Sequence, residues 1–491
     1  MKIFTEDPFA QYSAEEEEEF REEIFYSPNY YPGLLTALKK NSSRFLLGQR
    51  GDGKSVVIYK LMNDLKKAGC LPILIYRYDD IPLTDNKQHF LFIICKNLTI
   101  AIARELFYHP EKRNKLDKLL RQRLSHYIEL FYDGEYSNEF IEKAKEIRKI
   151  KSKNIFIKIF NAGLINLLNE LIGIGISVTS TALRNYLGIS EVSLIEKRQF
   201  ISELNLREIK RIDVKDASTL EERKYIQIIN DLCQILSNIG FPSVVALFDK
   251  IDECPKINAD TEKIADFCIE ILTDTALLLS SNISIVFSLW SEIKQLLTNR
   301  GVRFDKFGEI KVTLRDVELI QLLNIRLKHF SRDKNNPVTF ESLITKDFQR
   351  DAILKIADRS PRTLLRLLGE IYNNQNDRKA SFLEDDAISD GLASFCKTFD
   401  FGSLRNSSQN NNQLKDWIDK ILQIHLIEFS TSNVKDTFKL KGKKSDQYIE
   451  SFINFGLIKP SGLYNDNNEM IYKVIDTRIQ YMISRGITQL A

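Results

Sequence analysis

The residues Gly48-Gln49-Arg50-Gly51-Asp52-Gly53-Lys54-Ser55 spell G-x-x-x-x-G-K-S, between the apolar run Arg44–Leu47 and an amphipathic segment from Val56 to Lys67. Strand, glycine-rich loop and helix in that order form a cradle for a polyphosphate. Gly48, Gly51 and Gly53 let the backbone turn tightly, so that successive N–H groups point at phosphate oxygens. The positive end of the following helix faces the same anion. Lys54 supplies a point charge to the terminal phosphates, and Ser55 a hydroxyl to Mg²⁺. Gly48 to Val56 are therefore the expected contacts of a nucleoside triphosphate. No N-K-x-D base-reading motif follows a strand, which argues against a small GTPase.

A second group of chemical side chains lies near mid-sequence, in Asp249-Lys-Ile-Asp252-Glu253. Asp249 ends the apolar run Ser243–Phe248, which predicts a buried strand delivering a carboxylate beside the cradle, where Mg²⁺ sits. Hydrolysis also needs an acid that orients the attacking water. Position 250 is lysine, so Asp252 and Glu253 are the candidates, and the sequence does not choose between them.

The elements that must position these groups read as an α/β fold. Apolar runs at Arg44–Gly48, Leu71–Tyr78, Ser243–Asp249, Asn282–Trp290 and Glu309–Leu314 alternate with helical periodicity, as in a parallel sheet covered on both faces. About 160 residues separate the second and third strands, far more than one crossover requires. Helical patterns at 88–109, 112–132, 136–152, 155–187 and 218–239 make this a helical insertion at about 85–240, basic around Lys143–Lys158. Residues 1–40 read as a helical lead-in, with Ser13 capping the acidic run Glu15–Glu19 as a solvated helix face. The core spans 41–315, a helical lid 316–400, and a polar linker 401–413. In 414–491, three helices (Trp417–Phe429, Val434–Phe438 and a third from Ser445, ended by Gly456 as a C-cap) precede a strand at Glu469–Asp476. That order predicts a winged helix. Lys435, Lys439, Lys441, Lys443 and Lys444 cluster ahead of its third helix and leave nucleic acid open as a partner.

Composition bounds the reading. The 491 residues carry a net charge of +3, with 43% hydrophobic and 28% charged residues, as expected of a globular protein of several domains. The six cysteines are scattered without a C-x-x-C pair, and the five histidines are isolated, which speaks against a disulfide frame or zinc site. The first residues lack an apolar signal core, so a cytoplasmic location is expected. The most apolar stretch, 155–187, is broken by Lys158, Glu170 and Arg184, and its longest uncharged run, Leu171–Leu183, is short of the roughly 18 to 20 residues of a membrane span. A membrane partner is not expected.

Taken together, the opening Phe9-Ala-Gln-Tyr-Ser-Ala-Glu-Glu, the G-x-x-x-x-G-K-S loop, the D-x-h-D-E cluster, Ser360-Pro361-Arg362 and the tail resemble bacterial P-loop ATPases allied to the KAP and STAND NTPases, with an AAA+ origin-recognition-like core. The resemblance implies ATP and Mg²⁺ as cofactors and ATPase activity. It implies a polar γ-phosphate sensor at Ser288, a lid arginine at Arg362 reading the γ-phosphate, and Arg303 reaching a neighbouring subunit's nucleotide. Two departures stand out. Lys250 replaces the acid of simple AAA+ and KAP patterns, and the insertion does not look able to span a membrane. Members of this group often accompany antiviral defence genes. The expected function is thus an ATP-driven conformational switch in a prokaryotic defence system, acting as a homo-oligomer or with a separate effector protein. Two other readings stay open: a DNA-engaging loader or repair ATPase, and a scaffold that holds ATP without turning it over.

Overall fold

A computed structural model describes residues 2–79, 81–131, 222–257, 260–377, 379–404, 411–441 and 443–491. The helical patterns at 136–152 and 155–187, the basic stretch Lys143–Lys158 and part of the polar linker lie outside the described residues.

Five parallel strands form the central sheet: β1 (Arg44–Gly48), β2 (Leu71–Ile75), β3 (Val244–Phe248), β4 (Ile283–Trp290) and β5 (Glu309–Lys311), in the order β2-β3-β4-β1-β5. The near-continuous apolar sequences of β3 and β4 suit strands covered on both faces, whereas β5, Glu-Ile-Lys, is an edge strand. Alternation sorts the side chains. Leu46, Val245, Leu247, Val286 and Val312 pack on one face against Val57, Ile58, Leu61 and Leu65 of helix α1 (Lys54–Lys67). Phe45, Leu47, Ala246, Phe248 and Phe287 face the other way. There they meet α2 (Lys87–Tyr108), α3 (Lys118–Phe131) and α4 (Glu222–Asn238), the described helices of the insertion. Phe248 and Phe287 stack there, 4.6 Å apart.

The strand bearing Asp249 is not adjacent to the strand before the cradle, because β4 pairs with both, at Phe248↔Phe287 and Leu46↔Ser288. Ser288 thus stands between β1 and the end of β3, on the face covered by α1.

Residues 316–398 are helical, with α5 (Asp316–Phe330), α6 (Pro361–Asn373) and α7 (Asp385–Thr398) the longest elements. Ser360 caps α6, its hydroxyl accepting from Thr363 N, and Pro361 opens the helix. The tail begins with α8 (Asn411–Ile424), α9 (Thr431–Phe438) and α10 (Lys444–Asn454). An antiparallel pair follows, β7 (Ile458–Tyr464) with β8 (Met470–Val474), and β8 also pairs with β6 (Glu428–Phe429). The first tail helix therefore stops at Ile424 rather than Phe429, because Glu428 and Phe429 join the sheet. At the helix exit Gly456 takes φ +60°, and Leu457 N donates to Phe452 O, as a left-handed cap requires. Lid, tail, Phe4 and Phe9 share one apolar core. All six cysteines are buried and unpaired. Among the described residues, no helix is long and apolar enough to cross a membrane.

The lead-in departs from its expected helix. Residues 14–20 are turns, Arg21–Ile24 is a single helical turn, and the lead-in's longer helix is Tyr31–Lys39. Three of its acids are held by other partners. Glu16 accepts from Ser13 N, Glu15 pairs with Lys250 at 2.6 Å, and Glu17 is 5% exposed and pairs with Arg326 at 2.5 Å.

Candidate functional site

The cradle begins where β1 ends and α1 starts, at Lys54 rather than Val56. Gly51 and Gly53 both have φ +92°, a conformation that side chains rarely tolerate. Asp52 braces the turn, its carboxylate accepting from Gln49 N at 2.6 Å. Burial raises the Asp52 carboxyl, against that N–H and Lys54. Lys54 Nζ donates to Gly48 O and Gln49 O, both at 2.9 Å, so the ammonium folds back over the loop. Burial pushes its pKa down, and Asp252, Asp52 and Asp249 oppose that shift. This is a P-loop.

The acidic group reaches the same cavity, which measures about 1120 Å³ with its open mouth included. It is lined by Arg50–Val57, Asp249, Lys250, Asp252, Glu253, Pro361 and Arg362. Asp249 is 3% exposed, and its backbone is tied to β2 through Ile75 O and the Tyr78 hydroxyl. Lys250 follows in a left-handed conformation, φ +60°, uncommon for a residue with a side chain. This turn sends its ammonium to Glu15, whose carboxylate also lies 3.4 Å from the Tyr59 hydroxyl of α1. Withdrawal from solvent raises the Glu253 carboxyl; Asp252 and Asp249 add to the rise, while Lys250 and Arg50 oppose it. Ser288 is 2% exposed, its hydroxyl has no hydrogen-bond partner, and it stands in register with Leu46, two residues before Gly48, without lining the cavity.

The helical segment after β5 meets the loop directly. Arg362 N and the Ser360 hydroxyl each lie 3.4 Å from Gly51 O. A methyl group on Gly51 would stand 2.8 Å from Ser360 Oγ and 3.2 Å from Arg362 Cβ. Two consecutive left-handed residues, Asp358 (φ +49°) and Arg359 (φ +62°), lead into this contact. Arg303 is elsewhere: it is 61% exposed, forked onto Asp305 at 2.9 Å, and does not line the cavity.

Sequence reasoning missed the cavity's remaining wall. Tyr12, Phe25, Tyr26, Pro28 and Tyr30 of the lead-in, with Leu314, Leu322 and Leu365, form an apolar and aromatic flank beside the phosphate cradle. The aromatic run Phe25-Tyr26…Tyr30 just before β1 was the available signal. The lead-in is fastened on both sides. Glu22 takes hydrogen bonds from Lys60, Asn63 and Lys67, which outweigh its burial and bring it down to about 2. Arg326 of α5 is 2% exposed and donates to Pro8 O and Gln11 O besides its pair with Glu17.

Ser55 and Asp249 both line the cavity and offer oxygen donors, the ligand type Mg²⁺ takes. Among the described residues no cluster of three or more acidic, cysteine or histidine side chains makes a self-contained metal site. Mg²⁺ usually draws its other ligands from phosphate and water, so the residues present fit the ion.

No protein-family model and no curated protein matches the chain. Among solved structures it is similar to the Aeropyrum pernix ORC2 protein (ADPNP–ADP complexes), with 9% identity, 99% of this chain and 98% of that chain covered, and a TM-score of 0.39. It is also similar to the Aeropyrum pernix ORC1 protein in complex with DNA (11%, 94% and 94%, 0.34) and to Drosophila ORC bound to DNA (10%, 97% and 93%, 0.32). Such low scores decide nothing about ligand or partner. The description of fold and site rests on the geometry above.

Proposed function

We propose that the protein is an ATP-binding and ATP-hydrolysing conformational switch. The observation that carries this reading is the seating of Ser360 and Arg362 on Gly51, in one cavity with Lys54, Asp249, Asp252 and Glu253. A lid that rests on the phosphate loop responds to what the loop holds. Lys54 and the loop N–H groups take the phosphates, and the aromatic flank takes the base. Ser55 and Asp249 hold Mg²⁺, which would neutralise charge on the phosphates. Asp252 or Glu253 orients the water, Ser288 contributes its unsatisfied hydroxyl, and Arg362 forks onto the γ-phosphate. Arg303 enters only through a neighbouring copy of the chain, in a homo-oligomer.

Titration with MgATP, followed by phosphate release, tests this. Lys54→Ala is expected to abolish binding or turnover, and Asp249→Ala to remove the Mg²⁺ dependence. Wild-type protein that takes up no nucleotide would end the reading.

One observation favours a second reading, a scaffold that holds ATP intact. The position after Asp249 carries a lysine already paired with Glu15. ATP unchanged after hours in a single-turnover assay would select it. The winged-helix reading of the tail, with exposed Lys435, Lys439, Lys441, Lys443 and Lys444, supports a DNA-engaging role. Salt-sensitive stimulation of turnover by DNA is its test. A place in antiviral defence with a separate effector rests on the family resemblance, and the genes flanking this one would test it.

A further inference from the structure

We infer that Arg21, on the lead-in, is a phosphate ligand of the nucleotide site; the inference rests on the nucleotide reading above. Arg21 lines the cavity and is 9% exposed, yet its Nε–H has no acceptor. Its guanidinium lies 4.2 Å from the Tyr59 ring centroid. Tyr59 stands one helical turn beyond Ser55 and so on the same face of α1. The Glu17 carboxylate feels the positive charge of both Arg21 and Arg326. That carboxylate is already engaged by Arg326 at 2.5 Å. Two buried guanidinium groups against one carboxylate leave a positive charge on the cavity wall, with a donor unused.

A buried cation in that condition is costly unless an anion completes it. The anion that the cavity is built for is a phosphate chain, and a guanidinium offers the matching fork of donors. The lead-in is held in place to present it. Glu15 ties the segment to Lys250 beside Asp249, Glu17 ties it to the lid helix α5, and Glu22 ties it to Lys60 of α1. Arg21 therefore reaches the cavity that Gly51 also lines from a separate segment of the chain, and the lead-in becomes part of the switch.

The test compares ATP, ADP and adenosine on the full chain by calorimetry, with adenosine measured by competition. Arg21→Met keeps an unbranched side chain to pack on Tyr59 and removes the charge; Arg21→Gln replaces it if the methionine variant does not fold. The expected result is a loss of ATP affinity of roughly ten- to a hundredfold, the worth of a charge-assisted hydrogen bond. Adenosine affinity should stay at its wild-type value, nucleotide-free melting should not fall, since an uncompensated buried charge is removed, and Arg21→Lys should recover part of the loss. Unchanged ATP affinity overturns the inference, as does an equal loss for adenosine or no recovery by a folded Arg21→Lys. In those cases wild-type protein still binds nucleotide, so the nucleotide reading stands. A wild type that binds none of the three ligands removes both.

Discussion

At the scale of single residues, the question is which carboxylate activates water, and the environments of Asp252 and Glu253 make the choice measurable. Glu253 has its carboxyl raised by withdrawal from solvent, with Asp252 and Asp249 adding to the rise. A base must be ionised to act. If Glu253 is the base, turnover falls on acidification through a pKa above the usual carboxylate range. Glu253→Gln should then cut turnover by about 10² to 10⁴ while leaving MgATP bound. Asp252→Asn should do so instead if Asp252 is the base, and normal turnover in both variants would sink the assignment. Phosphate release across pH, with a nucleotide retention assay, decides it. The meeting of these residues in one cavity was legible in the sequence, because the loop, Asp249 and the two candidate acids each occupy a few consecutive positions. The role of Glu17 was not. Its partner Arg326 is 309 positions away, and nothing in a run of five glutamates marks the one that is buried.

At the scale of elements, the contact between P-loop and lid depends on the absence of a side chain at Gly51. A Cβ there meets Ser360 Oγ at 2.8 Å and Arg362 Cβ at 3.2 Å, in a backbone conformation that costs an L-residue roughly 1–2 kcal/mol. Gly51→Ala is expected to lower stability by at least that amount and to push the start of α6 away from the loop. Nucleotide affinity should fall as well, since Arg362 moves with α6. Gly53→Ala, at the same φ but with open space around its Cβ, separates the two effects. Strain alone should appear at Gly53, and strain plus lid displacement at Gly51. Melting curves with and without MgATP give the comparison, and equal behaviour of the two variants would contradict the contact. Strand positions and the Ser360-Pro361-Arg362 start of α6 could be read from period and capping chemistry. Strand order could not, because β4 comes between β1 and β3 through pairings across more than 35 positions of sequence. The short β6 was hidden for the same reason, Glu428 and Phe429 being strand only because β8 lies alongside.

At the scale of the molecule, two bodies of apolar packing meet at the cavity proposed to hold nucleotide. One is the sheet with its two helical covers. The other joins lid, tail and the side chains of Phe4 and Phe9. What links them near the cavity is largely polar: the Gly51 contacts, and a lead-in pinned to the lid by Arg326 and to the sheet side by Lys250 and Lys60. Polar links of this kind contribute little beside the burial within each body, so without nucleotide the bodies should melt as separate units. On the proposed reading ATP touches both, through Lys54 on one side and Arg362 on the other. Saturation at about 100 times Kd adds roughly 2.7 kcal/mol to whatever unit must break for release. Calorimetry should therefore show two transitions in the nucleotide-free protein and a rise of both with MgATP. Arg362→Ala should confine the rise to the sheet body, because its P-loop still holds phosphate while the lid has lost its hold on the ligand. If MgATP moves both transitions of that variant as it moves those of the wild type, Arg362 does not couple the bodies, and the switch must run through the lead-in alone.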